Sequence, residues 1–146
     1  MDKSKLPSYN SKIVKTLCWV LIVGSVLFLL KPLFMLDAYL GVFNKYQITR
    51  NFNPPFEYNF TYFLVSVTLE MILSIAVFVS AAFVLKFDEA WRKILIYSLA
   101  ALIIELFVSP HLILNALWFS VIISLFFVSV IIVLSKKEIK VLFGAA

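Results

Sequence analysis

Two acids stand where acids are costly. Glu70 and Glu105 each interrupt a long apolar run. A carboxylate at the centre of a bilayer costs about 2.5–3.5 kcal/mol on insertion scales, so such residues turn inward, take a partner and mark functional sites. Depth follows from the rise of about 1.5 Å per helical residue. Glu70 is ten residues beyond Phe60, where its run begins, which puts it roughly 15 Å deep. Glu105 is four residues from Ser109, roughly 6 Å deep, so both belong to the outer half of the membrane.

Helical spacing gives these acids company. Ser66, Glu70 and Ser74 recur every four residues and share one face. Ser98, Ala101, Glu105 and Ser109 share another, and Ala116, Ser120 and Ser124 a third. Small residues at this spacing let membrane helices approach closely, and serine hydroxyls bond across the contact. The three faces are therefore expected to meet. His111 and Asn115 fall near the depth of Glu105 and complete a constellation around an outward-facing cavity.

Two chemistries suit this group. In the first, Glu70, Ser66 and Ser74 make hydrogen-bonded contacts to a neighbouring helix or a partner protein, and Glu105 reaches the headgroup layer. In the second, the group binds a polar ligand head, a quinone, a lipid or a proton. Two glutamates and one histidine without fixed spacing do not form a metal-ligand motif, so no metal site is expected.

Catalytic signatures are missing. The sequence has no nucleophile elbow, no glycine-rich phosphate loop and no HExxH. It has one His, one Cys and three Gly, which leaves no material for a nucleophilic triad or a phosphate cradle. Cys18 lies inside the first apolar run and is expected to pack as a small apolar group. No catalytic residue and no required cofactor are expected.

The elements that position these residues follow from the composition. Of 146 residues, 63% are hydrophobic and 14% charged, and mean hydropathy is +1.03. Soluble domains run nearer half apolar and a quarter charged. The excess apolar surface calls for a lipid solvent. The fold expected is all-α, a single polytopic membrane domain built as a four-transmembrane-helix bundle. The spans fall at residues 13–30, 60–85, 91–108 and 112–134, each near the roughly 20 residues a crossing needs. An extracytoplasmic loop occupies residues 31–59, and a cytoplasmic tail residues 135–146.

That loop is aromatic rather than plainly hydrophilic, with Phe34, Tyr39, Phe43, Tyr46, Phe52, Phe56 and Tyr58 among its charges. Such a mixture suits the headgroup layer. Pro32 is expected to break the first helix, a short interfacial helix to follow around Leu33 to Asn44, and Pro54-Pro55 to force an extended turn.

The net charge is +5, and its placement bears on topology rather than on nucleic acid. Ten of the thirteen Lys and Arg residues fall in the first segment, in the turn between the second and third spans, and in the tail. Three fall in the loop at 31–59. Basic residues favour the cytoplasmic side, so both termini are expected there, in a multi-pass protein of a bacterial inner membrane.

The layout resembles that of DoxX/MauE-type small four-helix membrane proteins. The residues that carry the likeness are Lys31, at the end of the first helix before an extracytoplasmic stretch, and Thr68-Leu69-Glu70-Met71-Ile72-Leu73, a glutamate in an L-E-L-L-type context on the second helix. The resemblance spans about residues 25–108. It implies an accessory role near quinone-linked or thiol-redox electron transfer.

The function expected is that of a non-catalytic subunit or assembly partner of a larger membrane complex. Its partners are the bilayer and other membrane proteins or further copies of itself. A redox-associated or quinone- or lipid-binding module using Glu70 and Glu105 is the second reading, and a proton- or ion-coupled transporter component the third.

Overall fold

A computed structural model describes residues 6–49, 60–108 and 117–144 of the chain, with side chains at 9–30, 64–108 and 118–144. The described residues are helical almost throughout. Four long helices, α1 (Leu6–Thr49), α2 (Phe60–Val84), α3 (Glu89–Val108) and α4 (Leu117–Ser135), are followed by a single turn, α5 (Lys137–Lys140), and a 3₁₀ turn over Val141–Phe143. In a hydrocarbon solvent a helix satisfies its backbone groups within one segment, which is why apolar runs of this length adopt it.

α1 packs on α2, α2 on α3 and α3 on α4, while α5 touches both α4 and α1. The buried positions advance by three or four residues. Among them are Val14, Cys18, Leu21 and Ser25 on α1, and Glu70, Ser74, Val77, Ala81 and Val84 on α2. This alternation is the spacing of a helix face packed against its neighbours. The outward faces carry Trp19, Leu27, Ile72, Ile104, Trp118 and Ile122, all well exposed. Large apolar side chains cover the outside, while serines and acids share the interior with apolar residues such as Leu95, Leu99 and Leu102.

Among the described residues three helices are long and apolar enough to cross a membrane, over Tyr9–Leu30, Leu64–Val84 and Trp118–Ser135. They mark a membrane-embedded protein. α3 is not among them: Glu89, Arg92, Lys93 and Glu105 dilute its 20 residues.

The turn between α2 and α3 is locally encoded. Phe87 adopts a left-handed conformation (φ 59°). Lys86 and Phe87 donate backbone bonds to the Phe83 and Val84 carbonyls, ending α2 in a tight turn. Asp88 then caps α3, its Oδ1 accepting from the Ala90 amide at 2.8 Å and the Trp91 amide at 3.4 Å. That is the role short polar side chains take at helix starts. Glu89 adds negative charge in the first turn, where the helix dipole favours it.

One feature differs from the expectation. α1 does not break at Pro32; it runs through to Thr49 as one helix of 44 residues, and the separate interfacial helix near Leu33 to Asn44 is the continuation of α1. A proline forfeits its own N–H and crowds one carbonyl a turn earlier, a local loss that later helical hydrogen bonds need not share. The tail packs against the end of the bundle. Ile139 and Phe143 are buried, and the Phe143 ring lies 5.6 Å from that of Phe87.

Candidate functional site

α2 turns Ser66, Glu70 and Ser74 into the bundle, and all three are buried. Glu70 and Ser74 are each 0% exposed and Glu105 is 5% exposed. The hydroxyl of Ser66 donates to Glu105 Oε1 at 2.9 Å, joining α2 to α3. This bond sets the register of the antiparallel pair. Ser66 and Glu105 share one level, and Glu70 lies one turn, about 6 Å, further along α2. An interhelical hydrogen bond in a membrane contributes about 0.6–1.7 kcal/mol, which offsets part of the cost of carrying Glu105 inside.

Ser98 and Leu102 continue the Glu105 face of α3 inward, and Ser120 and Ser124 are the buried polar positions of α4. Of the faces marked by four-residue spacing, the described serines and glutamates are buried and Ala101 is half-buried. Glu70, Glu105, Ser66 and Ser74 belong to one inner surface. His111 and Asn115 lie outside the described residues, as do Ser109 and Ala116. Among the described residues no group of three or more His, Cys, Asp or Glu could hold a metal ion.

The arrangement can keep two carboxyl groups away from bulk water, orient one of them with a hydroxyl, and offer hydrogen bonds in a medium with few others. That suits a structural contact between helices, and equally a polar group delivered from the membrane.

A second polar centre, at the opposite end of the bundle, is one that charge counting along the sequence assigned to topology alone. Arg92 is 4% exposed. Its Nε and Nη2 donate to the two carboxylate oxygens of Glu89, three residues earlier. Its Nη1 donates to the Leu134 carbonyl at 2.7 Å, capping the C-terminal turn of α4. The guanidinium carbon lies 5.7 Å from the Phe143 ring centre. One side chain therefore joins the start of α3, the end of α4 and the folded tail. The Arg92 hydrogen bond holds the Glu89 carboxyl below the usual range; burial opposes the shift, and the charges of Arg92, Lys93 and Lys140 reinforce it. The signal in the sequence was the Glu-x-x-Arg spacing on a helix start, followed far later by an aromatic in a basic tail.

Aromatic rings finish this end. Phe83 and Trp91 stack with centroids 4.5 Å apart and planes 12° from parallel. Lys86 Nζ sits 5.0 Å from the Phe83 ring centre and Lys15 Nζ 5.9 Å from that of Phe87.

Comparison with known protein families, with curated proteins and with solved structures finds no match to this chain.

Proposed function

We propose that this chain is a non-catalytic subunit or assembly partner of a larger membrane complex. It crosses the bilayer four times with both termini in the cytoplasm, as in a bacterial inner membrane. The single observation that carries the reading is the length of α1. A helix of 44 residues extends about 66 Å, against a hydrocarbon core of about 30 Å and a whole bilayer of about 40–45 Å. Lys31 closes its uncharged apolar run, so residues 31–49 extend the helix by roughly 28 Å beyond that run. A free helix of that length is marginal in water, whereas an arm docked on another protein is stabilised by the contact.

α3 supports the fourth crossing. It is as long as the core is thick, it packs between α2 and α4, and the charges that exclude it from the apolar set are accommodated. Glu89 and Arg92 pair at one end, and Glu105 turns inward at the other. Orientation is supported by the exposed Lys12, Lys15, Lys86, Lys93, Lys136 and Lys137. The Lys15–Phe87 contact and the α1–α5 contact draw these segments to a common end.

Purification from native membranes in a gentle detergent tests the proposal. A partner present in fixed ratio to this chain is the expected result. A lone, stable monomer from several detergents would contradict it.

A second reading is favoured by the burial of Glu70 and Glu105: a redox-associated or ligand-binding module in which the acids meet a quinone or lipid head. There, Glu70→Gln abolishes activity while the protein still inserts and accumulates. Full function in both Glu70→Gln and Glu70→Ala would make the acid structural.

A further inference from the structure

A cavity of about 130 Å³ opens near the middle of the bundle. Ser74 lies in the middle part of α2 (Phe60–Val84), and Phe126 and Phe127 in that of α4 (Leu117–Ser135), so the cavity lies away from both ends of these helices. Its inner wall includes Leu102 and Phe127, both buried, and its edge includes Val20 and Phe126, both exposed. The mouth therefore faces sideways into lipid between α1 and α4. Only a membrane-soluble molecule can reach it there.

Two further observations define what fits. Gly24 is part of the wall, and a Cβ built on it would meet nothing within 4 Å. The absent side chain leaves open space rather than admitting a neighbouring helix. The second observation is Ser74, also part of the wall. It is completely buried, and its hydroxyl has no hydrogen-bond partner among the described residues. Ser25, on the same wall, is different, since its hydroxyl donates to the Ile22 carbonyl at 2.8 Å. A buried hydroxyl in hydrocarbon strongly favours an acceptor. The cavity thus offers an apolar body of space, with the unpartnered Ser74 hydroxyl just behind its wall. An engineered apolar protein cavity of about 150 Å³ accommodates benzene, which sets the scale.

We infer that this cavity binds a lipid-soluble ligand with an apolar body about the size of one ring and a single oxygen acceptor, to which Ser74 donates. The ligand enters laterally from the bilayer between α1 and α4. The site lies one helical turn from Glu70 but does not use its carboxyl. It stands whether or not the chain is a complex subunit: a lone monomer that bound such a ligand would overturn the assembly reading and leave this one intact.

A matched pair of probes tests it. The full chain in detergent micelles is titrated with 4-fluoroacetophenone, which carries one carbonyl, and with 4-fluoroethylbenzene, which has a similar shape without the oxygen. Fluorine NMR reads the saturable fraction. The ketone is expected to bind about tenfold more tightly, the factor one net hydrogen bond supplies. Ser74→Ala should remove that preference while both probes still bind. Gly24→Leu should abolish binding of both, and Gly24→Ala, whose added carbon meets open space, should retain it. No saturable binding to the unaltered protein, or equal binding of the two probes, would overturn the inference. Competition separates the native sources. Displacement by an alkylated benzoquinone supports a quinone-type ring, displacement by a fatty-acid methyl ester supports a lipid ester, and displacement by neither counts against the site.

Discussion

Replacing Arg92 with methionine should release the folded tail while leaving the spans in place. The side chain keeps its approximate length but loses every donor. Its loss strips the Leu134 carbonyl of a buried guanidinium at 2.7 Å. An acceptor left unsatisfied in that way costs about 1–3 kcal/mol. The cation–π contact with Phe143 adds about 0.5–1 kcal/mol at a partly shielded site. The pair with Glu89 adds little, because the Glu89 side chain is 23% exposed and solvent screens it, so about 0.5 kcal/mol is a fair share. The total is roughly 2–4 kcal/mol, a factor of about 30 to 1,000 in the equilibrium between docked and undocked tail. Hydrogen exchange in detergent or nanodiscs reads this at the amides of residues 137–144. Their protection should fall by that factor while the amides of α2 stay unchanged. Arg92→Lys should lie between, since an ammonium cannot reproduce the planar fork that reaches Glu89 and Leu134 together. Protection unchanged within about threefold in Arg92→Met, roughly 0.6 kcal/mol, would refute the account of Arg92 as the junction.

Ser66→Ala should lower the stability of the α2–α3 pair by about 0.6–1.7 kcal/mol, measured by unfolding in mixed micelles, because the Ser66–Glu105 bond at 2.9 Å is lost. Asp88→Ala should cost about 1 kcal/mol by removing the cap on the Ala90 and Trp91 amides, whereas Asp88→Asn should cost less. The Glu89 carboxyl titrates below its ordinary value of 4.5 in the folded protein. Its contribution is therefore complete above that value and is lost as pH falls through the depressed one. Glu89→Gln should remove that part of the acid sensitivity of tail protection.

The sequence exposed the inner surface of the bundle better than its ends. Glu70 and Glu105 were legible because an acid in an apolar run has few ways to be tolerated. The serines were legible because a four-residue repeat names a helix face without further context. The structure buries that face. Arg92 was not legible in the same way. Beside Lys86 and Lys93 it looks like one more basic residue at a span end, and its burial depends on a carbonyl 42 positions away. Phe143 and Ile139 were hidden by the three lysines around them, since a basic tail reads as solvated. Pro32 misled for another reason. The rule that proline ends helices weighs one lost hydrogen bond and one steric clash, and α1 keeps the helical bonds of every turn beyond it. The central cavity left almost no trace, because open space comes from how four helices diverge; Gly24 was its one visible mark.

The central claim is that the arm of α1 is a contact surface for another membrane protein. A photo-crosslinking amino acid at position 44, within the arm, tests it in native membranes. The account predicts a single crosslinked species containing this chain and one partner, matched by that partner in gentle-detergent purification and absent when the crosslinker is moved to position 122 on the lipid-facing side of α4. Crosslinks to lipid alone from position 44, with the chain recovered as a lone monomer, would contradict it.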